Sequence, residues 1–315
     1  MSKDNLPLVT IGIPTYNRAD AYLKEALESA LNQTYSNIEI VVSDNCSTDN
    51  TSELVNCYQD SRIKYYRHNE NIGANNNFNY CLEKASGEYF LLLHDDDKVD
   101  SDFVEACLED VNYRTDVGLI RTGVRVIDEF GNELQFRKNF VDADTIEKFI
   151  EQWMDQRKVS IYLCSVLYNR KGLQQIGGFT SPQNLLQDNV AEIKLTAMMG
   201  RADVSQVKAS FRRHGDNKGG SESVQEWAMD SNHILHLIKE HVSDQDLIKK
   251  STINLCEWNY NRVYRIKSPL VRWRSYLINY KMFDYYYSPF SYVYKRDIRP
   301  KLRKIRSLFF NTETI

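Results

Sequence analysis

Tyr89-Phe90-Leu91-Leu92-Leu93-His94-Asp95-Asp96-Asp97 sets an apolar run directly against three carboxylates. Such a run reads as a parallel strand buried on both faces. In open α/β sheets, ligands collect outside the carboxyl ends of the strands. Adjacent carboxylates repel one another, so concentrating them there favours a bound cation. Oxygen-only ligands suit hard ions such as Mg²⁺ or Mn²⁺, which also hold substrate phosphates. A solvated acidic turn is the simpler reading of the three Asp taken alone.

On the N-terminal side of this stretch, strand and helix patterns alternate. Residues 8–13 read as a strand that Pro14 should end, because proline cannot donate to a ladder. Leu23, Ala26, Leu27, Ala30 and Leu31 share one helical face. Residues 38–42 form a second strand, after which Ser47 or Thr48 can cap a short helix carrying Leu54, Val55 and Tyr58. Residues 63–66 form a third strand. Phe78, Cys81, Leu82 and Ala85 mark the next helix, with Gly87 expected to stop it. This alternation predicts a mainly parallel, Rossmann-like α/β sheet flanked by helices.

Beyond the carboxylates, Phe103, Val104, Cys107, Leu108 and Val111 mark a helix, and 117–127 a strand. Glu129-Phe130-Gly131-Asn132 reads as a hairpin turn. Residues 145–154 should be helical under an Asp144 cap, and 161–167 strand-like. Gly177-Gly178 breaks the chain before a helix that Gly200 closes. The boundary predicted at 215/216 separates this α/β domain (1–215) from a helical, aromatic and basic region (216–315). Gly215-Asp216-Asn217-Lys218-Gly219-Gly220-Ser221 suits a mobile loop. Trp227, Ile234, Leu235 and Ile238, then Leu247, Ile248 and Leu255, follow at helical spacing. Across 262–306, many Arg and Lys face only Asp284 and Asp297.

The 315 residues carry a net charge of only -3, which argues against nonspecific nucleic-acid binding by the whole chain. Six scattered cysteines form no CxxC pair and read as reduced core residues. The N-terminus lacks the apolar region of a signal peptide, and no apolar stretch is long enough to span a bilayer. A cytoplasmic protein is expected. Its basic, aromatic C-terminal section either packs as an ordinary helical appendage or rests peripherally on the inner face of the cell membrane.

Four stretches fall just after predicted strands: Pro14-Thr15-Tyr16-Asn17-Arg18, Asp44 to Asp49, Asn69 to Gly73 with Asn77, and Asp95 to Asp97. Their order and spacing resemble an inverting family 2 glycosyltransferase of the GT-A fold, over roughly residues 8 to 215. The bacterial cell-surface polysaccharide type is the expected one. Each piece is weak alone, and the four in order are specific. The resemblance implies that Pro14, Thr15, Tyr16 and Asn17 line the nucleotide, with an aromatic ring able to stack on the base. It gives Asp44 the uracil imide N–H, sets Asn77 near the nucleotide and Asp95 near the ribose. Asp96 becomes the direct ligand of a divalent cation (Mn²⁺ or Mg²⁺), and Asp97 supports that ion. His94 departs from the family by standing where an acidic residue is common, with a contact to nucleotide or sugar expected of it.

Inverting transfer needs a carboxylate to accept the proton of the attacking hydroxyl. The family keeps it at a helix start after G-G-F. Here Gly177-Gly178-Phe179 leads to Gln187-Asp188-Asn189, which makes Asp188 the expected base, held ionised by the helix N-terminus. Arg212-Arg213-His214 resembles the family's basic-His ending, with Arg213 as diphosphate clamp and His214 in the metal shell. The glycine-rich loop would be a lid. The implied partners are a nucleotide-diphosphate sugar donor, with a UDP-sugar favoured, and a glycan or lipid-linked acceptor. Plainer roles exist: loop packing for Tyr16, capping for Asp44, Asn77 and Asp188, a surface pair for Arg213 and His214. A nucleotide-sugar or glycan-binding module of the same fold is one alternative. A nucleotidyltransferase is another, although no glycine-rich phosphate loop follows the first strand.

Overall fold

In the computed structural model, which describes residues 6–154, 162–215 and 223–302, four strands run parallel. They are Val9–Thr15 (β1), Ile38–Asp44 (β2), Ile63–Arg67 (β3) and Tyr89–Leu92 (β4), in the order β3-β2-β1-β4. Lys98–Val99 (β5), Leu119–Ile127 (β6), Glu133–Arg137 (β7), Val166–Asn169 (β8) and Arg201–Arg212 (β9) extend the sheet as β4-β8-β6-β9-β5, with β7 on β6. β8 enters antiparallel to both β4 and β6, while β6 and β9 pair in parallel. Six of the nine described strands therefore point the same way, as the fold class requires. The chain divides into two compact units, Met1–Lys218 and Gly219–Ile315.

The sheet of the first unit is covered on both faces. Leu23–Leu31 (α1) and Phe103–Asp110 (α4) pack with Val9, Ile11, Ile13 and Leu91 on one side. The second helical layer includes Ala74–Lys84 (α3), Arg170–Gln175 (α6) and Gln187–Met199 (α7), which pack with Val41, Phe90 and Leu92. Thr51–Asn56 (α2) and Ile146–Met154 (α5) are the other α-helices among the described residues of this unit. Because side chains alternate along a strand, Gly12 faces α3 while Ile11 and Ile13 face α1. A Cβ at Gly12 would stand 2.7 Å from Phe90 and 2.9 Å from Cys81 Cβ. Gly12→Ala should therefore cost about 1–3 kcal/mol by overpacking, read as a lower denaturant midpoint. An unchanged midpoint would mean that Phe90 moves freely aside.

Several local expectations are corrected. Pro14 does not end β1, which runs through it to Thr15. Gly12 turns its carbonyl to Leu93 on the β4 side, and β4 pairs only as far as Gly12↔Leu92. Pro14 faces that same side beyond the pairing, so its missing N–H breaks no ladder bond. Gly87 is not the stop of α3, which ends at Lys84 with Ala85 extended. It permits close approach instead: a Cβ there would meet Leu8 O at 2.6 Å. Neither Ser47 nor Thr48 caps α2, whose first N–H is taken by Asp49 Oδ1. Thr145, not Asp144, accepts an N–H of the first turn of α5, and Asp144 pairs with Lys148 at 2.8 Å. Of the expected 161–167 strand, Ile161 lies outside the described residues, Leu163–Ser165 is a 3₁₀ turn, and β8 begins only at Val166.

Other expectations hold. Gly131 (φ 89°) turns the β6–β7 hairpin, and Gly200 (φ 71°) closes α7. In the second unit, Val224–His241 (α8) and Gln245–Tyr264 (α9) begin at a Ser223–Glu226 capping box and an Asp244 cap. Pro269–Met282 (α10) and Pro289–Val293 (α11) follow, the latter continuing through a π turn, Tyr294–Ile298. The aromatics do pack together: Tyr260 meets Tyr276 and Tyr292, each at 5.3 Å between centroids. Arg262 covers Trp227 at 3.5 Å. Residues 216–222, most of the expected lid, lie outside the described residues. Among the described residues, no helix is long and apolar enough to cross a membrane.

Candidate active site

The loops leaving β1 and β2 are bonded to each other. Asn17 N donates to Ser47 Oγ (2.9 Å), Thr48 N to Asn17 Oδ1 (2.8 Å) and Ala19 N to Asp49 Oδ2 (3.0 Å). Asn17 (φ 55°) and Cys46 (φ 66°) take left-handed backbone to make these turns. Tyr16 is left 43% exposed at the carboxyl end of β1, its ring available for stacking. Thr15 is buried just before it.

Asp44 is fully buried at the end of β2. Its Oδ1 accepts the Ser47 N–H at 2.8 Å and its Oδ2 the Tyr65 hydroxyl at 2.6 Å, with Arg67 Nε at 3.6 Å. Each carboxylate oxygen keeps a further lone pair. Asn77, expected near the nucleotide, is neither exposed nor a cap. Its amide closes on Ser43, accepting from the hydroxyl at 2.5 Å and donating to the carbonyl at 2.9 Å. It ties α3 to β2.

The acidic cluster sits where β4 ends. Burial, then the neighbouring Asp96 charge, pushes the Asp95 carboxyl up to about 7, although Thr15, Arg18 and the Tyr16 N–H pull the other way. Asp97 is likewise held well above the usual carboxylate range, by burial first and Asp96 next. For both carboxyls burial outweighs the groups that favour the ionised form. His94 packs its ring on Phe78 of α3 at 4.9 Å, and burial lowers its pKa, keeping the imidazole neutral. Its Nε2 is enclosed without a hydrogen-bond partner among the described residues. One ligand atom each from His94, Asp96 and Asp97 lie within 4.8 Å of one another. Two carboxylates and a neutral imidazole fit a divalent cation. The His94 expected at nucleotide or sugar is thus grouped with the metal candidates.

His214 Nε2 lies 2.9 Å from Asp96 Oδ2 and its ring 5.1 Å from that of Tyr22. Arg213 is exposed, with its main chain bonded to Ile127 O. Its neighbour Arg212, which sequence reasoning passed over, is fully buried. The Arg212 N–H donates to Asp97 Oδ1 (2.8 Å), and its guanidinium reaches Asp96 O (2.9 Å) and Glu25 Oε2 (2.9 Å) above the Tyr22 ring. Arg212 therefore shapes the loop that presents the acidic cluster. Arg212→Lys, which lacks the planar fork, should cost about 2 kcal/mol, read as a lower melting temperature. A variant that melts with the parent would sink this role.

Asp188 falls in the first turn of α7, whose N-cap position is Leu186, so it is not the cap. Burial outweighs the helix N-terminus and the Asn189 N–H, pushing its carboxyl up to about 7, and Glu192 adds to the rise. The helix N-terminus expected to favour the ionised form is thus opposed by burial. The turn ahead of it is fastened to α3: Asn79 accepts from Phe179 N (2.8 Å) and donates to Phe179 O (3.0 Å), with Asn75 Nδ2 on the same carbonyl. Both Gly177 (φ 92°) and Gly178 (φ 74°) need glycine's backbone freedom there.

The family model for Glycosyl transferase family 2 matches residues 10–204, from β1 into the start of β9. The chain belongs to glycosyltransferase family 2. It is 30% identical over 246 residues to an uncharacterized glycosyltransferase of Rickettsia felis, covering 77% of this chain and 40% of that one. A GalNAc(5)-diNAcBac-PP-undecaprenol beta-1,3-glucosyltransferase of Campylobacter jejuni is 37% identical over 110 residues, 34% of this chain and 35% of its own. The family 2 chain spans about 40% of the length of the first curated relatives it matches. Among solved structures, S. aureus TarS 1-349 in complex with UDP-GlcNAc superposes with a TM-score of 0.60 at 14% identity, covering 91% of each chain. That likeness places this family 2 glycosyltransferase in the GT-A fold.

Proposed function

We propose that the chain transfers a sugar, with inversion, from a UDP-sugar to a hydroxyl of a glycan or lipid-linked acceptor in cell-surface polysaccharide or glycolipid synthesis. The observation that carries this reading is the grouping of His94, Asp96 and Asp97 at the carboxyl end of β4. It lies in the same sheet as the exposed Tyr16 and buried Asp44 at neighbouring strand ends. Tyr16 stacks on the base in this reading, with Pro14, Thr15 and Asn17 around it, and Asp44 accepts the imide N–H. Asp95 meets the ribose, and exposed Arg213 pairs with the diphosphate. His94, Asp96, Asp97 and His214 hold Mn²⁺ or Mg²⁺, which when bound neutralises charge on the departing diphosphate. Asp188 accepts the acceptor hydroxyl's proton. The UDP preference draws on the TarS complex, and the lipid-linked acceptor on the name of the Campylobacter relative. The chain then works in the cytoplasm, at the inner face of the membrane that bears such acceptors.

The test is UDP release from a panel of UDP-sugars with Mn²⁺ present, with and without a chelator. Metal-dependent release that accelerates with acceptor supports the reading. Saturable donor binding without release would identify a binding module, and pyrophosphate release from UTP with a sugar 1-phosphate, assayed in parallel, a nucleotidyltransferase. Chelation should lower the rate at least about 100-fold, since the ion's contribution is several kcal/mol.

A further inference from the structure

Eleven of the eighteen exposed large hydrophobic side chains among the described residues fall between Leu270 and Leu302. They are ordered. At about 100° per residue, Trp273, Leu277, Leu270, Ile278 and Val271 share an arc of about 160° on α10, while Tyr276 and Asn279 are buried on the opposite side. The helix that begins as α11 carries a second strip at four-residue spacing: Phe290, Tyr294, Ile298 and Leu302, all exposed, with Tyr292 buried. Trp273 and Phe290 join the two strips, their rings 5.3 Å apart.

Charge follows the same segment. Residues 270–302 hold seven Lys or Arg and two Asp, within a chain whose net charge is -3. Lys295 is paired with Glu257. Arg274, Lys281, Arg299 and Lys301 make no ion pair among the described residues. Arg274 and Lys281 rise from within the apolar arc of α10, where their long stems can lie along Leu277 and Ile278 and carry the charge outward.

We propose that this face of α10 and α11 docks on an anionic lipid bilayer. The apolar strips enter the headgroup–acyl boundary, Trp273 and Tyr294 sit at the headgroup level, and the unpaired cations meet lipid phosphates. A second copy of the chain is the poorer occupant, because two such faces bring like charges together. The proposal extends the lipid-linked acceptor of the proposed function, but the surface alone carries it. Vesicle binding requires no turnover, so either reading can fail without the other.

The full chain is sedimented with vesicles of phosphatidylglycerol and phosphatidylcholine, and with phosphatidylcholine alone. Binding to the anionic vesicles, weakened by added salt, is expected. Leu277→Glu with Phe290→Glu should reduce it about tenfold or more, as should Arg274→Glu with Lys281→Glu. These positions are exposed, and unchanged melting temperatures confirm that the variants fold. Equal binding by parent and variants, or none to anionic vesicles, overturns the proposal. So does light scattering that shows a dimer dissolved by the same substitutions.

Discussion

Asp188→Asn is expected to lower kcat by about 10²–10⁴-fold, the usual contribution of a positioned base, while donor binding by calorimetry stays unchanged. The amide keeps the shape of the side chain but cannot accept the proton. The parent enzyme should also show an acid limb. Asp188 must be ionised to act, and burial holds its carboxyl at about 7, so kcat/KM should fall tenfold per unit below that pH. The limb should vanish in the variant's residual rate. Stability runs in the opposite sense. A carboxyl raised from 3.8 to about 7 on folding binds its proton more tightly in the native state. Folding therefore loses stability as pH rises through that window. The neutral amide escapes this loss, so Asp188→Asn should melt no lower than the parent at pH 8. A large drop in melting temperature would make Asp188 a structural residue instead.

Asp96→Asn should be comparably severe for a different reason. With Asp96 a ligand of the ion, as proposed, its removal would forfeit about 4 kcal/mol of charge stabilisation, near a thousandfold in rate. Here the Mn²⁺ response itself should change: the concentration giving half-maximal rate rises, and excess metal restores part of the activity. His94→Ala should move the same midpoint more weakly, because the remaining carboxylates still attract the ion. If His94→Ala changes donor KM and leaves the Mn²⁺ midpoint alone, His94 belongs to the nucleotide or sugar.

Much of this site is legible in the sequence because its parts are local. A buried strand followed by carboxylates, a Gly-Gly break and a helix start are each read from adjacent residues, and all three are where they were expected. Asn77 illustrates the limit. Its sequence position beside the third strand is compatible with a ligand contact, but direction is decided by which neighbour the helix packs against, and α3 turns Asn77 onto Ser43. His94 is similar, since its partner surface is Phe78, which belongs to a different element.

Arg212 and Arg213 draw the line most sharply. Sequence places both after a strand and gives no reason to separate them. β9 runs through Arg212, which is buried at its end, while Arg213 just beyond it is exposed. The chain by itself determined the alternation of β1 to β4 with their helices, the acidic end of β4 and the helix start that bears Asp188, because these depend on periodicity and nearest neighbours. Only the tertiary structure decided that His94 and His214 both meet the carboxylates, which arginine supports them, and that burial raises the Asp188 carboxyl to about 7. Those outcomes are set by burial and by charges distant in sequence, and desolvation is a property of the packed environment, not of the residue.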